Sequence, residues 1–366
     1  MLTTVQEKTK TTFGTFFLPG PTEVRPEVLA AMTKPMIGHR VAEMEELMGA
    51  IQPRLQRIFR TKRPVYISAS SATGLMEGGL RNGARQRVLS LVNGAFSDRF
   101  LQIARANGFD ADALHVPWGH GHSPEMLAEA LHGRDYDTVT VVHSETSTGA
   151  LNPIRELAQV THEAGDVVLL VDSVSGLSGA DMRTDVWNVD YVLTGSQKAF
   201  ALPPGLAFAV AQTNVLERAQ VQKNRGIYFD FLEFERNIQK NQTPNTPAVS
   251  LLYALDEQTR YIEEEGLENR LARHRAMAER TWAWCDELGL EILAPPQFRG
   301  PTVTTVRCPE GVTGPKVAAA VKQQGFQIAT GYGKLKDESF RIGHMGDHTI
   351  DRLEALLEVL TDVLRR

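Results

Sequence analysis

The segment Val167-Val168-Leu169-Leu170-Val171-Asp172 constrains the fold of this chain more than any other. Five successive apolar residues without polar alternation suit a strand covered on both faces, and such strands belong to parallel sheets flanked by helices. Val139-Thr140-Val141-Val142 before it and Tyr191-Val192-Leu193 after it have the same character. Helical periodicities lie between these runs, so strand, helix and strand alternate and imply right-handed crossovers. The spacing predicts strands near 64–68, 88–92, 113–117, 138–143, 167–172, 191–195 and 206–211. It predicts helices over about 26–33, 42–59, 73–86, 96–107, 123–132 and 154–164.

Beyond Pro244 the pattern changes. Two long helical stretches, about 247–264 and 267–288, are broken by Glu265-Gly266. Short strands follow at Val303 to Arg307, Phe326 to Ala329 and Ser339 to Ile342, with helices near 314–324 and 349–365. The expected organisation is an N-terminal arm over 1–20, a large α/β domain over 21–265 and a smaller α+β domain over 266–366. A chain of 366 residues is long enough for both cores. No internal repeat or low-complexity segment interrupts it.

Composition excludes several functions. A net charge of -5, with no long run of like charge, argues against a broad nucleic-acid surface. No apolar stretch approaches the ~18 residues of a membrane span. Met1 to Thr12 is polar and lacks the apolar core of a signal peptide. Cys285 and Cys308 are the only cysteines, which fits a reducing cytoplasm rather than a disulfide framework. The sequon Asn241-Gln242-Thr243 then reads as chance.

The chemistry gathers at strand ends. Thr194-Gly195-Ser196-Gln197-Lys198 follows an apolar run and closes on the turn Pro203-Pro204-Gly205, which delivers Lys198 to the edge of a sheet. A lone lysine is usually a solvated charge. A desolvated one can instead form an imine with a cofactor aldehyde and shuttle protons once released. An electron-sink pyridine needs a carboxylate beside its ring nitrogen, and Asp172 sits where ligands of open α/β sheets bind. The bland alternative for Asp172 is a helix cap. Ser68-Ala69-Ser70-Ser71-Ala72-Thr73-Gly74 puts small residues between a strand and a helix, where backbone N–H groups accept a phosphate. Phe96 after Asn93-Gly94-Ala95 offers a stacking face, although a single Phe is more often core. Ser144-Glu145-Thr146-Ser147-Thr148-Gly149 ends a further strand with hydroxyls that would reach a ring oxygen.

Taken with Leu18-Pro19-Gly20-Pro21, Gly38-His39-Arg40, Val171-Asp172-Ser173-Val174-Ser175, Gly195-Ser196-Gln197-Lys198, Thr302 to Val306 and Arg341-Ile342-Gly343-His344-Met345-Gly346, these motifs resemble the class V pyridoxal-phosphate aminotransferases. The resemblance runs from about Phe17 to the C-terminal helix and is nearest to the alanine–glyoxylate and serine–glyoxylate (serine–pyruvate) branch. It implies the α/β fold of PLP fold type I (aspartate-aminotransferase-like), with a mostly parallel mixed sheet and a smaller C-terminal α+β domain. Position by position, it implies that Lys198 bonds the pyridoxal 5'-phosphate and Asp172 holds the pyridinium. Thr146 would meet the ring hydroxyl, Phe96 would stack where relatives often carry Trp, and Val174 would pack on the opposite ring face. Ser71, Ala72, Thr73 and Gln197 would hold the phosphate, with Ala72 replacing a frequent glycine. Relatives are homodimers, and Thr246 would complete the partner's phosphate site. A tyrosine that some relatives carry nearby aligns with Thr243.

The same resemblance makes Arg341 the partner of the substrate's α-carboxylate, a role that suits a planar guanidinium on any fold. Gly20 would close over the substrate. The reaction implied is ping-pong transfer of an amino group from a small L-amino acid, alanine or serine, to a 2-oxo acid such as glyoxylate or pyruvate. Ureidoglycine- or phosphonate-type donors are the alternatives within the family. A desulfurase-like lyase would need a nucleophilic Cys on a mobile loop; Cys285 reads as helical and Cys308 as strand. A dehydrogenase would need Gly-x-Gly-x-x-Gly after a strand, and none is present. A non-catalytic scaffold would have no use for both Lys198 and Asp172. His39, Arg40, His120, His122 and His344 are possible neighbours of the site, and the His pairs lack the carboxylate or Cys set of a metal centre.

Overall fold

The computed structural model describes residues 13–365. The first twelve residues of the expected N-terminal arm lie outside them. The chain enters through α1 (Pro26–Ala31) and α2 (Ala42–Phe59), then alternates β1 (Tyr66–Ser68), α3 (Ala72–Gly83), β2 (Arg87–Val92), α4 (Ala95–Ala106), β3 (Asp110–His115), α5 (Pro124–Leu131) and β4 (Thr138–Val142). A short hairpin, β5 (Ser144–Glu145) and β6 (Ala150–Leu151), precedes α6 (Ile154–Glu163), β7 (Val168–Asp172), β8 (Tyr191–Gly195) and β9 (Ala207–Ala211). Next come α7 (Thr213–Val221), α8 (Phe231–Ile238), α9 (Val249–Glu265) and α10 (Leu267–Glu287). The chain closes with β10 (Val303–Arg307), α11 (Gly314–Gln323), β11 (Ala329–Thr330), β12 (Ser339–Gly343) and α12 (Ile350–Leu364).

Seven strands form one mixed sheet in the order β1-β9-β8-β7-β4-β2-β3. Pairing is parallel from β8 through β3, and β9 alone runs against its neighbours. Strands β4, β7, β8 and β9 are buried along their whole length because helices cover both faces. One layer, under α2, α6 and α9, packs Ile51, Leu55, Leu157 and Leu252 against Val139, Leu169 and Val192. The other, under α3, α4 and α8, packs Leu75, Phe100 and Phe231 against Val168, Leu170 and Tyr191. A separate antiparallel sheet, β10-β12-β11, carries α10, α11 and α12 over its own core of Met277, Trp284, Val306, Phe340 and Leu356. Gly266, at φ +78°, turns the chain between α9 and α10 in a conformation that side chains resist.

Three expectations about elements change. The third strand begins at Asp110, earlier than predicted, because β3 is an edge strand whose Asp110 and His115 are exposed and break the apolar pattern. Helices α7 and α8 were not anticipated; α8 exists to seat Phe231 and Phe234 against Tyr66. The strand expected from Phe326 to Ala329 shrinks to β11, which starts three residues later at Ala329, since Gln327 instead bonds the N-terminal segment through Thr15 O and Phe17 N. Among the described residues no helix is long and apolar enough to cross a membrane.

Candidate active site

A cleft with about 490 Å³ of empty space opens at the C-terminal ends of the parallel strands. Ser71 comes from the turn after β1, Ala72 and Thr73 from the start of α3, Phe96 and Arg99 from α4 after β2, and Thr146 from the hairpin after β4. Asp172 and Val174 come from the end of β7, and Gln197 and Lys198 from the turn between β8 and β9. Nine of the twelve residues expected at the site therefore line one cleft; Gly20 and Arg341 join it through contacts, described next, and Thr246 is elsewhere.

Lys198 is buried, and its Nζ donates to Pro19 O. Its charge lies 5.8 Å from the Phe96 ring centre. Burial, aided by the nearby Arg341 cation and opposed by Asp172 and Glu145, pulls its amine down from 10.5 to about 7. The neutral, nucleophilic form is then accessible at ordinary pH. The segment above it is fastened by Thr22, whose N–H donates to Gln197 O at 2.9 Å and whose Oγ1 donates to Lys198 O at 2.9 Å. Gly20 sits at φ +110°, and a Cβ there would lie 2.4 Å from Lys198 Cδ and 2.6 Å from Nζ. Only glycine leaves the lysine its room.

Asp172 is not a helix cap. Its Oδ1 accepts the Val174 N–H at 2.8 Å, and Oδ2 has no hydrogen-bond partner among the described residues. Burial pushes its carboxyl up from 3.8 to about 7; the Val174 N–H works against that, Glu145 adds to it, and Lys198 and Arg99 pull it down. A cationic ring nitrogen is the partner such a carboxylate lacks.

The two helices that begin at the cleft differ in how their first amides are satisfied. At α4, Ser147 Oγ accepts the Ala95 N–H at 3.0 Å, and the buried Glu145 carboxylate accepts the N–H groups of Phe96 and Ser97 at 3.2 and 2.9 Å. At α3, Ser71 provides no side-chain cap, and the Ala72 and Thr73 N–H groups make no hydrogen bond among the described residues. Four amides begin every helix without an internal partner. Those of Ala72 and Thr73 are therefore free to meet a phosphate, with Gln197 beside them.

Thr146 shares a hydrogen bond with Ser175, and its carbonyl accepts Arg341 Nη1 at 3.0 Å. Arg341, from β12 of the small sheet, also donates Nε to Thr330 O at 2.9 Å and stands 5.4 Å over the Tyr332 ring. It is buried, and no carboxylate among the described residues pairs with it. Burial brings its guanidinium down from 12.5 to about 10, still cationic, with Tyr332 and Glu145 acting in the opposite sense. Tyr332 in turn tilts against Phe96 with ring centres 5.3 Å apart. The small sheet thus brings a desolvated cation to the large sheet's lysine.

The remaining candidates disperse. Thr246 lines a separate pocket with Ser68, Ala69, Tyr228 and Thr243. Arg40 Nη2 donates to Pro244 O at 3.4 Å, which places Arg40 by that second pocket too. His122 is a structural residue, between Leu114 O at 2.9 Å and Asn152 Oδ1 at 3.3 Å. His344 is held by Thr304 Oγ1 and Pro301 O, each at 2.9 Å. His120 packs at a tilt on Phe298. Among the described residues no group of three His, Cys, Asp or Glu could hold a metal ion. Burial raises the Cys285 thiol to about 12 and the Cys308 thiol to about 11, which leaves neither as a nucleophile for desulfurase chemistry. Sequence reasoning missed Arg99, Glu145 as an anchor, and Tyr332. Arg99 lies one helical turn past Phe96, and its guanidinium sits 5.2 Å over that ring, so the i+3 spacing was the available signal.

A buried lysine, a carboxylate awaiting a cation, an uncapped helix N-terminus and a stacking ring at one sheet edge define a pyridoxal-phosphate enzyme of fold type I. The residues present fit that cofactor by their donor set. A sequence profile described as aminotransferase class-V matches residues 88–334, and the chain belongs to that family. It is 38% identical over 335 residues to an uncharacterised aminotransferase of Methanocaldococcus jannaschii, covering 90% of this chain and 87% of that one. It is 32% identical to an L-aspartate–glyoxylate aminotransferase of Paracoccus denitrificans, covering 91% and 86%. An alanine–glyoxylate aminotransferase of Nostoc sp. superposes with a TM-score of 0.91 at 31% identity, covering 96% and 95%. The protein is a pyridoxal-phosphate-dependent transaminase.

Proposed function

We propose that the enzyme moves an amino group from a small L-amino acid, alanine or serine, to a 2-oxo acid such as glyoxylate or pyruvate. The observation that carries this reading is Arg341: a buried guanidinium anchored on two backbone carbonyls, without a carboxylate of its own, beside the cleft of Lys198. Such a group recognises an α-carboxylate by two parallel hydrogen bonds. The α-carbon of that amino acid then lies within the lysine's range. The similar proteins named above act on glyoxylate and on small or acidic donors, which agrees with this class.

When bound, pyridoxal phosphate accepts the donor's amino group and spreads the developing negative charge. The chain's own residues do the rest. Asp172 keeps the ring nitrogen protonated. The α3 amides with Ser71, Thr73 and Gln197 would hold the phosphate, and Phe96 and Val174 would pack against the ring. Lys198 Nζ takes the donor's α-proton, and an amine pulled down to about 7 is a base matched to neutral pH. Keto-acid product leaves before the acceptor enters, so the kinetics are ping-pong.

Arg99 favours a second reading for the donor. It lines the cleft, and no carboxylate among the described residues pairs with it, so an acidic side chain such as that of aspartate would have a cation to meet. Addition of L-alanine, L-serine and L-aspartate in turn to the purified holoenzyme separates the readings. The expected outcome is loss of the cofactor's visible band with alanine or serine. Bleaching by aspartate alone would move the donor to the acidic class, and no bleaching by any of the three would reject both.

We also propose a cytoplasmic homodimer in which Thr246 reaches the partner's phosphate site. Ile227 and Tyr228 support it: they are 82% and 42% exposed, and Tyr228 donates to Ala69 O beside the Thr246 pocket. The domain boundaries proposed are 1–20, 21–265 and 266–366, with the last division at the Gly266 turn.

A further inference from the structure

Arg270 has the largest fully buried side chain among the described residues, and the chemistry above does not use it. It stands one turn into α10, and each of its nitrogens is bound to a different segment. Nη2 donates to Ala199 O at 2.6 Å, the carbonyl next to Lys198. Nε donates to Ser178 Oγ at 3.0 Å, six residues past Asp172. Nη1 donates to Asp347 Oδ1 and to Glu265 Oε2, both at 2.8 Å. Asp347 follows β12, the strand that carries Arg341.

Asp347 extends the clamp. Its Oδ2 accepts Arg25 Nε at 2.8 Å and Gln258 Nε2 at 3.0 Å. Arg25 ends the segment that begins at Pro19 and Gly20 over the lysine. The neighbouring His274 accepts the Gly346 N–H at 3.0 Å and so fastens the same loop a second time. The backbone departs from ordinary geometry at or near the grips: Ser178, which the clamp holds directly, has φ +71°, and Ala201, two residues past Ala199, has φ +55°. Non-glycine residues persist in that region when their surroundings hold them there, and such strain gathers at working sites.

We infer that Arg270 is a positioning residue of the transamination: one buried guanidinium fixes Lys198, the segment after Asp172 and the loop after Arg341 in a single register. The inference rests on the roles proposed above for Lys198 and Arg341. Its physical basis is the steep dependence of proton transfer on the separation of lysine and bound substrate, two groups delivered by different sheets. A surface arginine could not do this, because water would compete for each acceptor.

The test uses the holoenzyme with Arg270→Lys and Arg270→Met. Lysine keeps the charge beside Asp347 but cannot reach Ala199 O and Ser178 Oγ from one planar fork. Methionine fills the space and leaves Asp347 still paired with Arg25. Three quantities are measured: kcat and KM for the amino donor, the pH midpoint of the lysine-bound cofactor's visible band, and the thermal midpoint. The expected result for both variants is a fall in kcat of roughly 10- to 100-fold and a displaced spectral midpoint, with Arg270→Lys still melting close to wild type. If Arg270→Met does not fold, Arg270→Lys decides alone. Variants that melt earlier yet keep kcat and the spectral midpoint would overturn the inference, leaving Arg270 a purely structural residue. A wild-type band that no donor bleaches would remove the proposed function and this inference with it, whereas a responsive wild type with indifferent variants removes the inference alone.

Discussion

Asp172 illustrates how one residue can be costly to the fold and necessary to the chemistry. A carboxyl raised from 3.8 to about 7 keeps its proton in the folded protein where the unfolded chain has lost it. Its contribution to stability is therefore present below pH 3.8 and lost as pH rises through about 7. In the cofactor-free protein, Asp172→Asn should leave the thermal midpoint near that of wild type at pH 4 and raise it by a few degrees at pH 8. The same variant should bind the cofactor without activating it, since the ring nitrogen loses its anion. Equal midpoints at both pH values would show that the carboxylate has found another partner. Asp172 and Lys198 were legible in the sequence because the first ends an unbroken apolar run and the second lies in the short polar stretch that follows another. Arg270 was not, since an arginine on a helix looks the same whether it faces water or a buried carbonyl, hydroxyl and carboxylates.

At the scale of elements, α4 depends on a side chain from another strand. Glu145 leaves β5, enters beneath the first turn of α4 and takes the hydrogen bonds of Phe96, Ser97 and Ser147. Gly94 makes the approach possible: a Cβ there would lie 2.4 Å from Glu145 Cγ and 2.5 Å from Ser147 Oγ. Its backbone is extended, so crowding alone makes the residue a glycine. Gly94→Ala should destabilise the protein by about 2–4 kcal/mol in chemical denaturation, from overpacking plus a displaced buried carboxylate. It should also weaken cofactor binding, because Thr146 follows Glu145 directly. A variant as stable as wild type would mean that the hairpin yields easily. The long parallel strands and α9 to α12 could be read in advance from periodicity. The two-residue strands β5 and β6 could not, since too few residues alternate to give a pattern, and α8 is too short for its apolar face to stand out.

For the whole molecule, the proposed assembly makes a distinct prediction. If a second copy supplies Thr246 to the phosphate, sedimentation should give twice the monomer mass. Thr246→Ala should then weaken cofactor binding about 10-fold, the worth of one hydrogen bond to a charged group, with the assembly intact. A monomer that binds cofactor with undiminished affinity after the substitution would remove the partner from the site.

The cleft draws Gly20, Ala72, Phe96, Thr146, Asp172, Lys198 and Arg341 from nearly the full length of the chain and from two sheets. No fragment, and no form with one sheet still unmade, contains the whole set. The cofactor is thus an inspector of the finished chain: it is retained in full only by molecules in which every crossover has closed, and by mass action it holds them there. A yellow protein is a correctly folded one.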